Sequence, residues 1–150
     1  MSGRIERLGG DPPSPFEARY GFSRVAVVGG FVIVGGTTSV SPDGVVLGET
    51  PYAQTIEILG KVSHELGRVG ASLADVIQTR IYVTDISRSE EVGRAHGEAF
   101  GDIRPLMTMV GIAGLVDPRM LVEIETVALA PGGGGAAAGA AGAAGGAGAA

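Results

Sequence analysis

Between residues 24 and 128 the spacing of apolar residues switches between two and about three and a half, and this switching limits the folds open to the chain. Residues 24–29 and 31–34 are β-branched runs broken by Gly29-Gly30, a pair suited to the positive φ of a tight hairpin turn. After the turn Ser41-Pro42-Asp43-Gly44, Thr50 reads as an N-cap and Pro51 as a first helical residue. Tyr52, Ile56, Leu59, Val62, Leu66 and Val69 then form one apolar stripe, which Gly70 ends. Ile77, Thr79, Ile81 and Val83 alternate with Gln78, Arg80, Tyr82 and Thr84, giving a strand with one core face and one polar face. Ser87-Arg88-Ser89-Glu90 predicts a capping box opening a second helix, which carries Val92, Ala95, Ala99 and Phe100 inward until Pro105 stops it. Residues 107–112 and 120–128 read as two further strands joined around Asp117-Pro118. The order is ββαβαββ. An amphipathic helix must bury its stripe, and the apolar face of the sheet is the partner on offer, so the class is α+β with both helices on one face.

The two ends of the chain differ from this middle. Residues 1–17 include Pro12, Pro13 and Pro15 and read as an irregular or edge-strand arm, with residues 18–130 as the folded domain. Residues 131–150 follow Pro131 with nine Gly and ten Ala and no charge, a composition expected to stay unstructured. With no cysteine, disulfides, thiolate nucleophiles and cysteine metal sites are excluded. A net charge of −5 disfavours a nucleic-acid partner, and the lack of a long apolar run or leader pattern predicts a soluble cytoplasmic protein with no membrane partner. Aromatics are 5% with no Trp, so the core of a small body must come from Val, Ile, Leu and Ala. The second sheet face would carry Arg80, Tyr82, Glu123 and Glu125. A small body with open sheet edges gains most by closing into a ring, so this face is read as a subunit interface.

Few residues offer chemistry. Gly35-Gly36-Thr37-Thr38 follows a strand, yet lacks the Gly-Lys-Ser/Thr of a phosphate loop; its glycines suit close approach of a small ligand to the backbone. His64 and His96 are the only histidines, and neither has a partner at helical spacing, so no histidine metal site is expected. His64 reads as solvated. His96 falls off the apolar stripe and reads as structural or exposed, with proton shuttling as the alternative. Glu123 and Glu125 flank Ile124 in an apolar strand, where carboxylates are exposed, paired to a cation such as Arg80, or placed to orient water.

Tyr20, the run Val32-Ile33-Val34-Gly35-Gly36-Thr37, Gln54, Gly70, Val76, Ile81-Tyr82-Val83-Thr84-Asp85, Pro105, Leu115 and Val122-Glu123-Ile124-Glu125 together resemble the RidA/YjgF (reactive intermediate deaminase, L-PSP) family over residues 20 to 130. The resemblance implies a chorismate-mutase-like α+β subunit with a mixed sheet, assembled as a homotrimer around a central barrel with a small-molecule cleft between subunits. Deaminating members hydrolyse 2-enamine or 2-imino acids to 2-keto acids and ammonia without metal or cofactor. There an arginine two residues after the proline of the penultimate strand holds the substrate carboxylate, and the glutamate opening E-I-E helps place the attacking water. The glutamate corresponds to Glu123. The arginine position is Met107; the family's Ser-Gly is Gly35-Gly36, and an asparagine of the second helix is Gly93.

A methionine cannot replace a bidentate arginine. Arg104 and Arg119 are the nearby candidates to substitute, but Arg104 lies at an odd offset from residue 107 and would project from the opposite strand face. Met107 and Met109 instead suggest a more apolar pocket. The sequence therefore predicts an imine or enamine hydrolase (deaminase-like) or tautomerase acting on a substrate without the usual carboxylate. Glu123 is the catalytic candidate, and Tyr20, Gly35, Gly36, Met107, Thr108 and Met109 are the binding candidates. The alternative is a non-catalytic ligand-binding or regulatory module. Ribonuclease activity, another assignment attached to relatives, fits poorly with the acidic charge.

Overall fold

In the computed structural model, which describes residues 4–132, hairpin, helices and strands follow in the expected order. The tail expectation falls, beyond Pro131 and Gly132, outside the described residues. Strands β1 (Glu6–Leu8), β2 (Val25–Val28), β3 (Phe31–Thr37), β4 (Val76–Val83), β5 (Leu106–Gly111) and β6 (Val122–Leu129) form one sheet in the order β1-β2-β3-β6-β4-β5. All neighbours are antiparallel except β4 and β5, which run parallel because the chain returns through a helix between them.

The arm is more ordered than its prolines suggest. Glu6–Leu8 pairs with β2, and the last proline starts a short helix, α1 (Pro15–Tyr20), rather than preventing one. Pro15 occupies the first turn, where a missing N–H is harmless, and Ser14 and Glu17 form a capping box. The buried Glu17 carboxylate also takes the Gly10 N–H at 3.1 Å, and Arg68 donates to the Gly9 carbonyl at 2.7 Å. The arm is thus tied to the sheet and to the end of the next helix.

That helix, α2 (Pro51–Arg68), begins as expected, with Thr50 Oγ1 accepting from the Ala53 N–H at 3.1 Å. Its buried line runs through Thr55, Ile58, Leu59, Val62 and Leu66, leaving Ile56 exposed. At 100° per residue, Ile56 lies about 200° from Ile58 and so turns away from the sheet. Helix α3 (Ser89–Phe100) buries Val92, Ala95, His96 and Phe100. The predicted capping box at its start does not form. Asp85 takes both the Ser87 N–H (3.1 Å) and the Ser87 hydroxyl (2.6 Å), capping a single 3-10 turn that precedes the helix.

The core lies between α2, α3 and one sheet face and is built from Val25, Val32, Val34, Ile58, Val62, Leu66, Ile81, Val83, Phe100, Val122 and Ile124. Strict alternation along β6 sends Val122, Ile124, Thr126 and Ala128 to that core and Glu123, Glu125 and Val127 to the other face, which carries no helix. The fold is a mixed-sheet α+β domain. Among the described residues no helix is long and apolar enough to cross a membrane.

Candidate functional site

The helix-free face of the sheet holds the polar groups. Cross-strand register there sets Glu123 beside Tyr82 and Glu125 beside Arg80. Arg80 and Glu125 approach to 3.9 Å, but both are largely exposed, and such a pair contributes little to stability.

Glu123 owes its position to an irregularity in β3. Between Val34, opposite Thr126, and Thr37, opposite Ile124, two residues of β3 face one of β6, so Gly35-Gly36 forms a β-bulge. The space a Cβ of Gly36 would occupy is filled by the Glu123 carboxylate. Any side chain at residue 36 would displace it, which is the physical use of that glycine. The carboxyl is half-buried and takes no hydrogen bond from the described residues. Burial, and secondarily the charge of Glu125, raise its pKa above the ordinary value, with Arg24 opposing the shift.

Arg24 is the residue that sequence reasoning missed. Its Nη1 donates to the Gly36 carbonyl at 2.6 Å, and its charge is felt at Glu123. The expected absence of a cation rested on residues 104, 107 and 119; Arg24 lies close enough for its charge to act on Glu123. The signal was available in the hairpin. A two-residue turn at Gly29-Gly30 pairs Val25 with Val34, and one step further brings Arg24 against Gly35, whose N–H it accepts at 2.9 Å.

The nearby arginines make local contacts within the chain. Arg104 adopts a positive φ of 54° after the helix and turns its Nε to the Gly101 carbonyl (3.3 Å). Arg119 makes a two-pronged bond to Asp117 (3.0 and 2.7 Å), which holds the Asp117 pKa down at about 2. The backbone at Arg119 also serves the site. Gln54 donates to the carbonyls of Arg119 (2.8 Å) and Gly48 (3.0 Å) and accepts from the Leu121 N–H (2.8 Å), fixing the chain two residues before Glu123.

The remaining candidates lie elsewhere on the chain. Tyr20 ends α1, 64% exposed and stacked on Phe16 at 5.5 Å. Met107 and Met109 are in register with Thr79 and Ile81, whose side chains are buried on the helix side, whereas Thr108 aligns with Arg80 on the helix-free face. Their strand is two places from β6, about 10 Å at ordinary strand spacing. His96 is buried, against the expectation that it lies off the stripe. It falls on the Val92–His96–Phe100 line at four-residue steps, packs against Phe100 with the rings tilted and 4.6 Å between centroids, and places Nε2 2.9 Å from Thr79 Oγ1. Burial depresses its pKa. Lying on the helix side of the sheet, with Thr79, it is remote from Glu123 in the same chain and supports packing. Within one chain, Gly36, Arg24 and Glu123 thus share one sheet face, while Met107 and Met109 lie at the far edge on the other, Met109 partly buried against the core.

A mixed-sheet α+β domain with a bulge-seated glutamate and a bare sheet face marks a class of small proteins, and comparison with known sequences and structures identifies it. The family model described as endoribonuclease L-PSP matches residues 13–130, and the chain belongs to this family, of the RidA/YjgF type. An uncharacterized protein of Streptomyces coelicolor is 36% identical over 115 residues, 77% of this chain and 86% of that one. A RutC family protein of Pyrococcus abyssi is 28% identical over 109 residues, 71% and 84% of the two chains. Among solved structures, a Mycobacterium tuberculosis member of the YjgF/YER057c/UK114 family superposes with a TM-score of 0.74 at 44% identity, covering 84% of this chain and 99% of that one.

Proposed function

We propose that the chain hydrolyses small reactive imines or enamines in clefts formed between subunits of a homotrimer, without metal or cofactor. The observation that carries this reading is Glu123: a half-buried carboxyl, seated in the space Gly36 leaves open, with an elevated proton affinity and no hydrogen bond from the described residues. A carboxyl so placed is suited to taking a proton from water and returning it. As the water oxygen bonds to the imine carbon, Glu123 accepts its proton. The proton then passes to nitrogen, giving a carbinolamine; its hydroxyl proton, relayed through Glu123, moves to the nitrogen as the carbon–nitrogen bond breaks, and a carbonyl compound and ammonia leave. The half-site around Met107 and Met109 of a neighbouring copy would form the apolar wall of the cleft, with Tyr20 at its rim.

Ammonia release from 2-aminoacrylate generated in situ tests the proposal. Glu123→Gln is expected to lose about a hundredfold or more of the enzyme-dependent rate, the range general acid–base groups supply, while still binding the pyruvate product. Equal rates for wild type and variant would overturn it. A non-catalytic binding module is the second reading, favoured by Met107 at the position of the family's substrate-holding arginine; wild type that binds pyruvate and releases no ammonia supports that instead.

A further inference from the structure

We propose that Arg24 is the specificity-determining residue that receives the acid group of the ligand, from the opposite side of the cleft to residue 107. This rests on the cleft and the role of Glu123 proposed above, and it deepens that reading by naming the charge the substrate carries and where that charge sits.

Three features of the structure converge on it. The guanidinium makes one hydrogen bond, Nη1 to the Gly36 carbonyl at 2.6 Å, and lies over the Phe22 ring at 5.9 Å, contacts that leave most of its five N–H donors for another partner. That carbonyl belongs to the glycine whose missing Cβ seats Glu123, so the cation and the water-handling carboxyl flank the same residue. Arg24 also lines a recess of about 310 Å³ together with Ser23, Gly35 and a second cation, Arg7. Arg7 is in register with Ala26 on β2 and Ala26 with Ile33 on β3, the same helix-free face. Two arginines with no carboxylate among the lining residues make a recess that attracts anions. The recess reaches the bulge at Gly35, so an acid group resting on Arg24 lies beside the bulge whose Gly36 seats Glu123. The site therefore favours small ligands that carry an acid group near the reacting carbon, and it admits them without any arginine at residue 107.

The rival explanation is that Arg24 only pins the bulge carbonyl. Binding of pyruvate and of methyl pyruvate, its uncharged ester, to full-length protein separates the two. Wild type is expected to prefer pyruvate, with an affinity that falls as salt rises. Arg24→Gln is expected to weaken pyruvate by about tenfold or more, the equivalent of one charge-assisted hydrogen bond, and to leave the ester unchanged. Arg24→Lys, which keeps the charge and loses the fork, is expected to retain part of the preference, and it serves as the test variant if Arg24→Gln does not fold. Equal weakening of both ligands, an unaltered preference in Arg24→Gln, or wild type that binds neither or does not prefer the acid would each overturn the inference. Glu123-dependent ammonia release with an acid preference indifferent to Arg24 would remove this inference and keep the catalytic proposal. The reverse pattern would keep the anion site and remove catalysis.

Discussion

At Glu123 the fold holds a carboxyl in surroundings that favour its protonated form, and this has a consequence for stability as well as for chemistry. Because the folded-state pKa is raised, the native chain binds a proton more readily than the unfolded chain. Stability at this residue is therefore lost as pH rises past the unfolded value of about 4.3 and through the higher folded value. Glu123→Gln, neutral in both states, is expected to be more stable than wild type toward urea at pH 7, with the gain vanishing at pH 4. A variant that is less stable at both pH values would show that the carboxylate is instead a structural partner. Residue types and spacing were enough to single out Glu123 and Gly36, because a carboxylate in an apolar strand and a glycine pair after a β-branched run both need a reason. The bulge that brings them together was not legible, since it depends on how β3 meets a strand some ninety residues later.

At the level of the elements, the start of β6 depends on α2 through Gln54, whose side chain bridges Gly48, Arg119 and Leu121. Gln54 is almost wholly buried, so truncation leaves backbone groups without partners at about 1–3 kcal/mol for each one buried. Gln54→Ala is expected to lower the free energy of unfolding by about 2 kcal/mol or more in chemical denaturation and to reduce turnover by loosening Glu123; a loss below about 0.5 kcal/mol would contradict the clamp. The beginning of α2 was legible because Thr50-Pro51 signals a cap locally. The burial of His96 could have been read from its place midway between Val92 and Phe100, four residues from each. The failed capping box at Ser87 could not, because Asp85 competes for the same N–H and hydroxyl. The helix in the arm was hidden by counting prolines as breakers when one of them occupies the first turn.

On the scale of the whole molecule, the proposed cleft between copies draws on the sheet face that carries no helix. The face carries Phe31, Ile33 and Leu106, each more than a third exposed in a single chain, between the charged rows. Mixed assembly tests whether a cleft is shared between copies. Glu123→Gln chains co-expressed with Met107→Trp chains are expected to regain about a quarter of wild-type clefts by random assortment in a cyclic trimer, although each variant alone is inactive. No recovery beyond the separate activities would place the whole site in one chain. The fold order was legible from periodicity alone; sharing of a site between copies is not, because pairing between copies leaves no periodic mark on one sequence. The measurement closest to the central claim is a carbon-13 titration of the Glu123 carboxyl alongside the pH profile of kcat/KM for ammonia release. The account predicts a Glu123 midpoint above the ordinary glutamate value of about 4.3 and an acidic limb of the rate profile that falls at the same pH, the rate being lost as Glu123 takes up its proton. A carboxyl that titrates at or below the ordinary value, or a rate indifferent to its titration, would contradict it.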